Sequence, residues 1–317
     1  MTTPAPTVAP AFVTAPDGTA VVELGGQGTT LTAGDDAIWV VLPSTLRGGR
    51  EVLRIDPATG TITTALRDLK VVDGPSHAIG VNGSIWVSSW NLRTVTRYDG
   101  VSGDEIATLE VGRDPLWPVL AYGDVWIMNY RSGTISRIDP ETGVVAATIE
   151  VAAPGDGGPM SLEPGGGLLW TAAPNTPAIL AIDPATNEVA RTIELDGTCR
   201  PGVTYLRDQL FVGGCGDTTI IIDPETGARI GESPFPMPGL TSRLETGDRV
   251  WMVSGDATRE DLRLAAVSAA TLEVVDVFST GVGVPDWYVT GAFDSVWVNS
   301  GLFGRILRVP IAALPSP

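Results

Sequence analysis

His77 is the only histidine among the 317 residues, and that single imidazole bounds the chemistry open to the chain. A His-His metal site is excluded, so a zinc centre would need mostly carboxylates. A Ser-His-Asp triad would have to pass through His77, and no Gly-x-Ser-x-Gly elbow presents a nucleophile to it. Paired with Glu163 or Asp286, His77 could act as a general base, because imidazole titrates near neutrality. A lone histidine is more often a hydrogen-bonded structural or ligand-contacting group. Gly165-Gly-Gly167 and Gly213-Gly214 do not lead into helices, so they do not cradle phosphate.

The aromatic residues carry the stronger signal. Six of the nine Trp recur at one position of a repeat, where core packing explains them. Trp90, Trp117 and Trp287 stand outside it. Aligning the units on the recurrent aromatic places His77 and Trp117 in one slot, with Trp287 or Tyr288 close to it. The same slot holds Thr30, Ser161 and Val203 elsewhere. A position that is aromatic in some units and small in others is no demand of the fold, so it is a candidate for recognition. Tyr130, Arg131, Asn129 and Asn299 follow second strands, while Arg200 and Asp286 precede first strands, and all are expected on the same rim. Aromatic faces with a few polar groups suit a sugar ring, a flat apolar ligand or a peptide segment. The alternative is that these rings plug a channel.

What must position these residues is a repeat of a turn, an apolar triplet centred on Trp, a strand ending in Asp-Pro-x-Thr-Gly, and an alternating strand. Gly123-Asp-Val-Trp-Ile127 leads to Ile135-Ser-Arg-Ile-Asp-Pro-Glu-Thr-Gly143, and two further copies read alike. The anchors Trp39, Trp86, Trp126, Trp170, Phe211, Trp251 and Trp297 recur about every 43 residues, the length of a four-stranded propeller blade. Seven anchors predict a single all-β domain over 17–317, a seven-bladed β-propeller of four-stranded antiparallel blades. Asp56, Asp139, Asp183 and Asp223 read as turn-makers whose carboxylates accept backbone N–H groups.

After Trp297 the last unit lacks a fourth strand, and residues 17–26 at the front of the chain read like one. Pairing them with the strand around Arg305 to Val309 closes the ring and removes an open edge. Cutting 17–26 is therefore expected to cost far more stability than cutting 1–14. Residues 1–16, rich in Pro, Thr and Ala, read as a flexible leader.

Composition sets the limits. With 43% apolar and 18% charged residues the chain folds, and 38 Gly with 25 Pro mean many short elements and no long helices. A net charge of −17 repels phosphate backbones and anionic membranes, so nucleic acid is excluded as a partner. No run approaches the roughly 18 apolar residues of a membrane span. Cys199 and Cys215 flank a turn near Arg207-Asp208, and antiparallel pairing about it sets them across neighbouring strands. A disulfide there could add about 3 kcal/mol and would point outside the cytosol; a reduced pair is the alternative.

The Ile-Trp-Val…Arg-Ile-Asp-Pro-x-Thr-Gly…Thr-Ile-x-Val unit resembles the YVTN-type propeller repeat of bacterial extracytoplasmic proteins, and more distantly the streptogramin B (virginiamycin B) lyase family. The resemblance spans about Asp17 to Pro310 and is specific for fold. It implies an exported protein. The lyase family uses more than one mouth histidine, an acidic residue and magnesium; only His77 can be matched here. The expectation is thus an extracytoplasmic, monomeric binding propeller that takes a small molecule, sugar or peptide at an aromatic mouth and needs no cofactor. The alternative is a lyase-like or lactonase-like enzyme using His77, a carboxylate and a divalent metal such as magnesium.

Overall fold

Short strands form because turns punctuate the chain at fixed intervals. Asn82-Gly83, Tyr122-Gly123, Gly166-Gly167, Arg207-Asp208 and Phe293-Asp294 include left-handed residues that match the two-residue turns of tight hairpins, joining the first and second strands of their units. At the next turn the Asp carboxylate acts as expected. Asp56 Oδ1 accepts the backbone N–H groups of Ala58 and Thr59 at 2.9 and 2.8 Å. Asp139 does the same for Glu141 and Thr142, and Asp223 for Glu225 and Thr226. These bonds favour the ionised carboxylate. Asp56 and Asp223 are held below the usual Asp value chiefly by the N–H groups of Thr59 and Thr226, and Asp139 chiefly by the Thr142 hydroxyl.

The computed structural model describes residues 12–14, 19–24, 30–42, 50–69, 76–155, 158, 161–173, 177–196, 202–213, 218–233, 244–246, 248–253, 263–268, 273–279, 287–300 and 304–314. Their strands form seven antiparallel sheets, six of them in sequential order from an inner to an outer strand, so the chain is a seven-bladed β-propeller. Blade 1 runs from Thr30–Ala33 to Ile62–Leu69, blade 2 from Ser76–Val81 to Glu105–Glu110, and blade 3 from Pro115–Ala121 to Val144–Glu150. Blades 4, 5 and 6 begin at Glu163–Gly165, Gly202–Leu206 and Leu244–Thr246.

Blade 7 closes the ring. Its strands Trp287–Ala292, Ser295–Ser300 and Arg305–Pro310 are completed by Ala20–Glu23, with Ala20 opposite Arg308 and Glu23 opposite Arg305. A fifth strand, Phe12–Thr14, follows on the outside. These three residues fall inside the stretch read as leader, and they pair rather than merely tether.

The core lies between blades. Trp86 packs with Ile79, Val81 and Val95 of its own blade against Val125, Ile127 and Ile138 of the next. Trp297, Ile306 and Val22 of the closing blade pack against Leu31, Ile38 and Val40 of blade 1. Second strands are therefore apolar on both faces, as Ile38–Leu42 is. Trp suits the anchor for a second reason: the indole N–H of Trp126, Trp170 and Trp297 donates to the carbonyl five residues earlier, at 2.9 to 3.1 Å.

Candidate functional site

Antiparallel pairing brings the start of each inner strand beside the end of the second strand, and these ends together form one mouth of the ring. In blade 2, Ser76 stands opposite Ser89 and His77 opposite Ser88. In blade 3, Pro115 stands opposite Asn129 and Leu116 opposite Met128. The Thr30 hydroxyl donates to the Ser76 carbonyl at 3.1 Å and ties blade 1 to blade 2 at this level.

His77 lies here but does not face solvent, being 1% exposed. Its backbone N–H donates to Ser88 Oγ at 3.3 Å. Its Nδ1 is buried and has no hydrogen-bond partner among the described residues. Burial alone lowers its pKa from 6.5 to about 3, so the ring is neutral at physiological pH. Above it sits Trp117, with ring centroids 5.1 Å apart and planes at 62°, an edge contact between neighbouring blades.

Trp117 gets there through an irregular backbone. The register slips between Leu116 and Val119, a bulge that sets two residues against one. Trp117 itself has φ 32°, a left-handed conformation costly for a large side chain. Asp114, just ahead of the strand, also has positive φ, at 56°. Its carboxylate lies 3.0 Å from Arg131 Nε. Beside this pair, Trp90 and Tyr130, each four residues past the anchor of its blade, stack with centroids 6.4 Å apart and planes at 27°. Two aromatic pairs thus bridge blades 2 and 3: Trp90 and Tyr130 hold equivalent positions, whereas register gives the His77 slot of blade 3 to Leu116 and the bulge sets Trp117 against His77.

The structure therefore unites His77, Trp117, Trp90, Tyr130 and Arg131, and it separates others from them. Asn129 and Asn299 are wholly buried rather than on the rim. The Asn129 amide donates to the hydroxyls of Thr134 and Ser136 at 3.0 and 2.9 Å, which pins the blade edge. Glu163 stands opposite Trp170, two residues deeper than the His77 level, so it is no partner for the imidazole. Counting from the anchors, register assigns the His77 slot to Tyr288 rather than Trp287, and to Gly202 rather than Val203, because the intervening turns hold two residues. Arg200, Asp286, Cys199 and Cys215 lie outside the described residues; the blade 5 ladder is described as far as Gly202 opposite Gly213.

Asp114 was not among the expected residues. The signal for it was the hairpin register itself: whatever aligns Pro115 with Asn129 also brings residue 114 beside residues 130 and 131. On the opposite face, third-strand arginines were read only as part of a motif, yet they clamp blades together. Arg97 donates to Ser84 Oγ at 2.9 Å and to the Glu141 carbonyl in the turn of blade 3 at 3.5 Å. Arg137 binds Asp124, the Pro184 carbonyl and Asn187 of blade 4. Both guanidiniums lie over the anchor indole of their blade, at 5.2 and 5.3 Å.

Chemically, the mouth offers stacked indole and phenol faces, one ion pair and a neutral imidazole. Among the described residues no three His, Cys, Asp or Glu side chains stand together as a metal site. Asp114 is engaged by Arg131 and His77 is buried, so the described donors do not fit a magnesium ion.

No protein-family model and no curated protein matches the sequence. Solved structures do match in fold. Virginiamycin B lyase from Staphylococcus aureus superimposes with a TM-score of 0.68 at 15% identity, covering 92% of this chain and 98% of that one. The WD40 domain of Toxoplasma gondii coronin gives 0.68 at 12% identity, covering 96% and 87%. The computationally designed protein Ika8 gives 0.61 at 12% identity, covering 91% and 98%. At these identities the likeness shows a shared fold alone, and the seven blades are read from this chain's own sheets.

Proposed function

We propose that the chain is a monomeric recognition propeller of the YVTN kind, working outside the cytosol, that holds a small molecule, sugar or peptide segment against the aromatic mouth of blades 2 and 3. The observation that carries this reading is the strained bulge at Trp117. Left-handed backbone at a large residue persists only where its surroundings force it, and such strain gathers at ligand-contacting sites. Here it turns an indole onto a buried imidazole beside a second aromatic pair. A neutral, buried His77 suits support of the Trp117 ring better than proton abstraction, since a base with a pKa near 3 is weak. The partners in Arg131 and Asp114 supply polar specificity at the rim.

Tryptophan fluorescence and native mass spectrometry test it, with cellobiose, N-acetyltryptophanamide and a tyrosine-containing pentapeptide as probes. Saturable quenching by one probe class, lost in Trp90→Ala and Trp117→Ala, supports the reading. A folded protein whose emission none of the probes alters counts against it. Intact mass with and without reductant tests the Cys199–Cys215 disulfide, which would support the extracytoplasmic assignment, against a reduced pair.

A second reading, a lyase-like or lactonase-like enzyme with His77, a carboxylate and a divalent ion, draws on the fold shared with virginiamycin B lyase. It requires turnover that disappears in His77→Ala or on chelation while the fold persists. A recognition module is instead indifferent to chelator and sensitive to the two Trp substitutions.

A further inference from the structure

The turn after the second strand and the segment after the outer strand share one scaffold in three blades. The N–H groups of Val111, Val151 and Leu195 donate to the carbonyls of Arg93, Gly133 and Pro177 in turn, at 2.9, 2.9 and 2.6 Å. What fills that scaffold differs. Blade 2 places Leu92, Arg93 and Arg113 at the positions where blade 3 has Ser132, Gly133 and Ala153. With these small residues blade 3 opens a pocket of about 280 Å³, lined by Ser132, Thr134, Glu150, Ala152 and Ala153 among others. Gly133 is required there, since its φ is 66° and a Cβ would strike the Ala152 carbonyl, so only glycine lets the segment come so close. Blade 4 keeps a carboxylate in Glu194 but has Ala178 in place of Thr134. The pocket belongs to blade 3 and is no demand of the repeat.

The hydrogen-bond state of the lining selects what it takes. Ser132 Oγ accepts the Arg113 N–H at 2.8 Å, and Thr134 Oγ1 accepts from the buried Asn129 amide at 3.0 Å. Each hydroxyl has thus used a lone pair, and among the described residues its proton has no acceptor, so it is set to donate. The exposed Glu150 carboxylate, when ionised, only accepts. An occupant must therefore accept from two hydroxyls and donate to a carboxylate within one pocket. An ammonium or guanidinium group only donates. A carboxylate or phosphate only accepts, and Glu150 and the net charge of −17 repel it. Sugar hydroxyls do both at every oxygen and carry no charge. Size agrees: about 280 Å³ falls just below the roughly 300–1,000 Å³ of sites that take a whole drug-sized ligand, so the pocket holds one ring of a longer molecule. Asn129 stands opposite Thr134 and Thr134 opposite Glu150, which puts Glu150 two strand spacings, about 10 Å, outward of Asn129, the neighbour of Tyr130. A second ring linked to the first can then lie on the stacked Tyr130 and Trp90.

We propose that blade 3 carries a sugar subsite at Ser132, Thr134 and Glu150, and that the ligand is a neutral oligosaccharide with one ring there and the next across Trp90 and Tyr130. The placement of the second ring rests on the recognition reading of the mouth, whereas the pocket does not.

Isothermal titration calorimetry of the full chain with maltotriose, cellotriose and triacetylchitotriose tests it, with trigalacturonate and the tyrosine-containing pentapeptide as contrasts. At least one neutral trisaccharide should bind saturably. It should bind about tenfold more weakly to Ser132→Leu and Ala153→Arg, which install the blade 2 residues, and about threefold more weakly to Glu150→Gln, which keeps an acceptor but loses the charge. Ala153 is exposed, so its variant keeps the test open if loss of the Ser132 hydroxyl disturbs the turn; thermal melts check that both fold. Binding lost in the pocket variants but unaltered by Trp90→Ala upholds the pocket and overturns the aromatic subsite. Binding of a trisaccharide or of the pentapeptide that is lost in Trp90→Ala yet indifferent to the pocket variants overturns the sugar pocket and leaves the recognition reading standing. The whole proposal falls if no neutral trisaccharide binds or if trigalacturonate binds as tightly.

Discussion

Replacing Arg137 with Ala tests whether the third-strand arginines hold blades together. The guanidinium makes contacts at 2.8 and 2.6 Å with one oxygen of Asp124, bonds the Asn187 side chain at 2.9 Å and the Pro184 carbonyl across the blade boundary, and covers Trp126. The Asp124 side chain is only 11% exposed, so truncation leaves a nearly sunken carboxylate with no counter-charge. Breaking a buried pair in this way costs about 3–5 kcal/mol. Since the Arg137 side chain is 22% exposed, water recovers part of that, and about 3 kcal/mol is the expected loss. At roughly 2.1 cal/mol/K per residue the unfolding entropy is about 0.7 kcal/mol/K, which makes the shift in Tm about 4–5 °C.

Blade 2 supplies the control. There the equivalent Arg97 meets the neutral Ser84 hydroxyl at 2.9 Å. Asp124→Ser converts the blade 3 pair into that arrangement, and in this background Arg137→Ala should cost only about 1–2 kcal/mol, the loss of hydrogen bonds without a stranded charge. Urea and thermal melts of the four proteins yield the coupling directly. A cost below about 1 kcal/mol for Arg137→Ala, or an equal cost in both backgrounds, would refute the reasoning.

The His77 imidazole, near 3 when folded against 6.5 unfolded, makes the unfolded chain bind a proton first as pH falls. Stability is fully present above about pH 6.5 and declines toward pH 3 by up to about 1.4 kcal/mol per pH unit. The turn carboxylates weaken only below the ordinary Asp value of 3.8, so His77→Gln should flatten the Tm profile between about pH 6 and 4.5, and an unchanged profile would contradict the burial. Gly80→Ala would place a Cβ 2.5 Å from the Trp39 indole, and an overpacking loss of about 1–3 kcal/mol should appear in melts. Trp117→Gly relieves the left-handed strain while losing ring contacts, so it should cost less than about 2 kcal/mol, against about 3–5 for truncating a buried anchor such as Trp126; equal losses in the two variants would show that no strain was stored.

Much of the propeller was legible because its determinants are local and repeated. The anchors Trp126, Trp170 and Trp297 answer to the carbonyl five residues back, and Asp56, Asp139 and Asp223 to N–H groups two and three residues on. The ring closure was legible as a missing strand at one end and a spare one at the other. What escaped was non-local. Arg97 and Arg137 find partners in the next blade, more than 40 residues away, and no pattern within one unit announces them. The register shifts between third and outer strands of blades 1 to 6 lie in strands whose alternation reads as regular. Phe12–Thr14 hides between prolines that mark a tether. At the mouth, counting from the anchors set His77 and Trp117 at one offset, whereas the ladder gives that slot to Leu116 and the bulge brings Trp117 onto His77, so a slot reveals neither register nor depth. The bulge that brings Trp117 onto His77 is a backbone event that neither residue type predicts.

That difference separates what the repeat serves from what it leaves free. A residue needed for blade packing is needed in every blade, so Trp recurs at the anchors and Asp at the turns with only minor replacement. The slot at the head of the inner strand obeys no such demand: Thr30, His77, Ser161, Gly202 and Tyr288 occupy it in turn, and the ring closes around all of them. Bulky aromatics there add nothing that small residues fail to provide elsewhere, and in blade 3 they come with a bulge and two left-handed residues. Such a cost, borne in one sector and avoided at the same position in most others, is not a cost of folding. It falls where blades 2 and 3 meet, beside an imidazole whose Nδ1 is sunk without a partner among the described residues and an ion pair at the rim. The recognition role proposed for that sector would account for all of these features at once, whereas a plug for the channel would require only bulk.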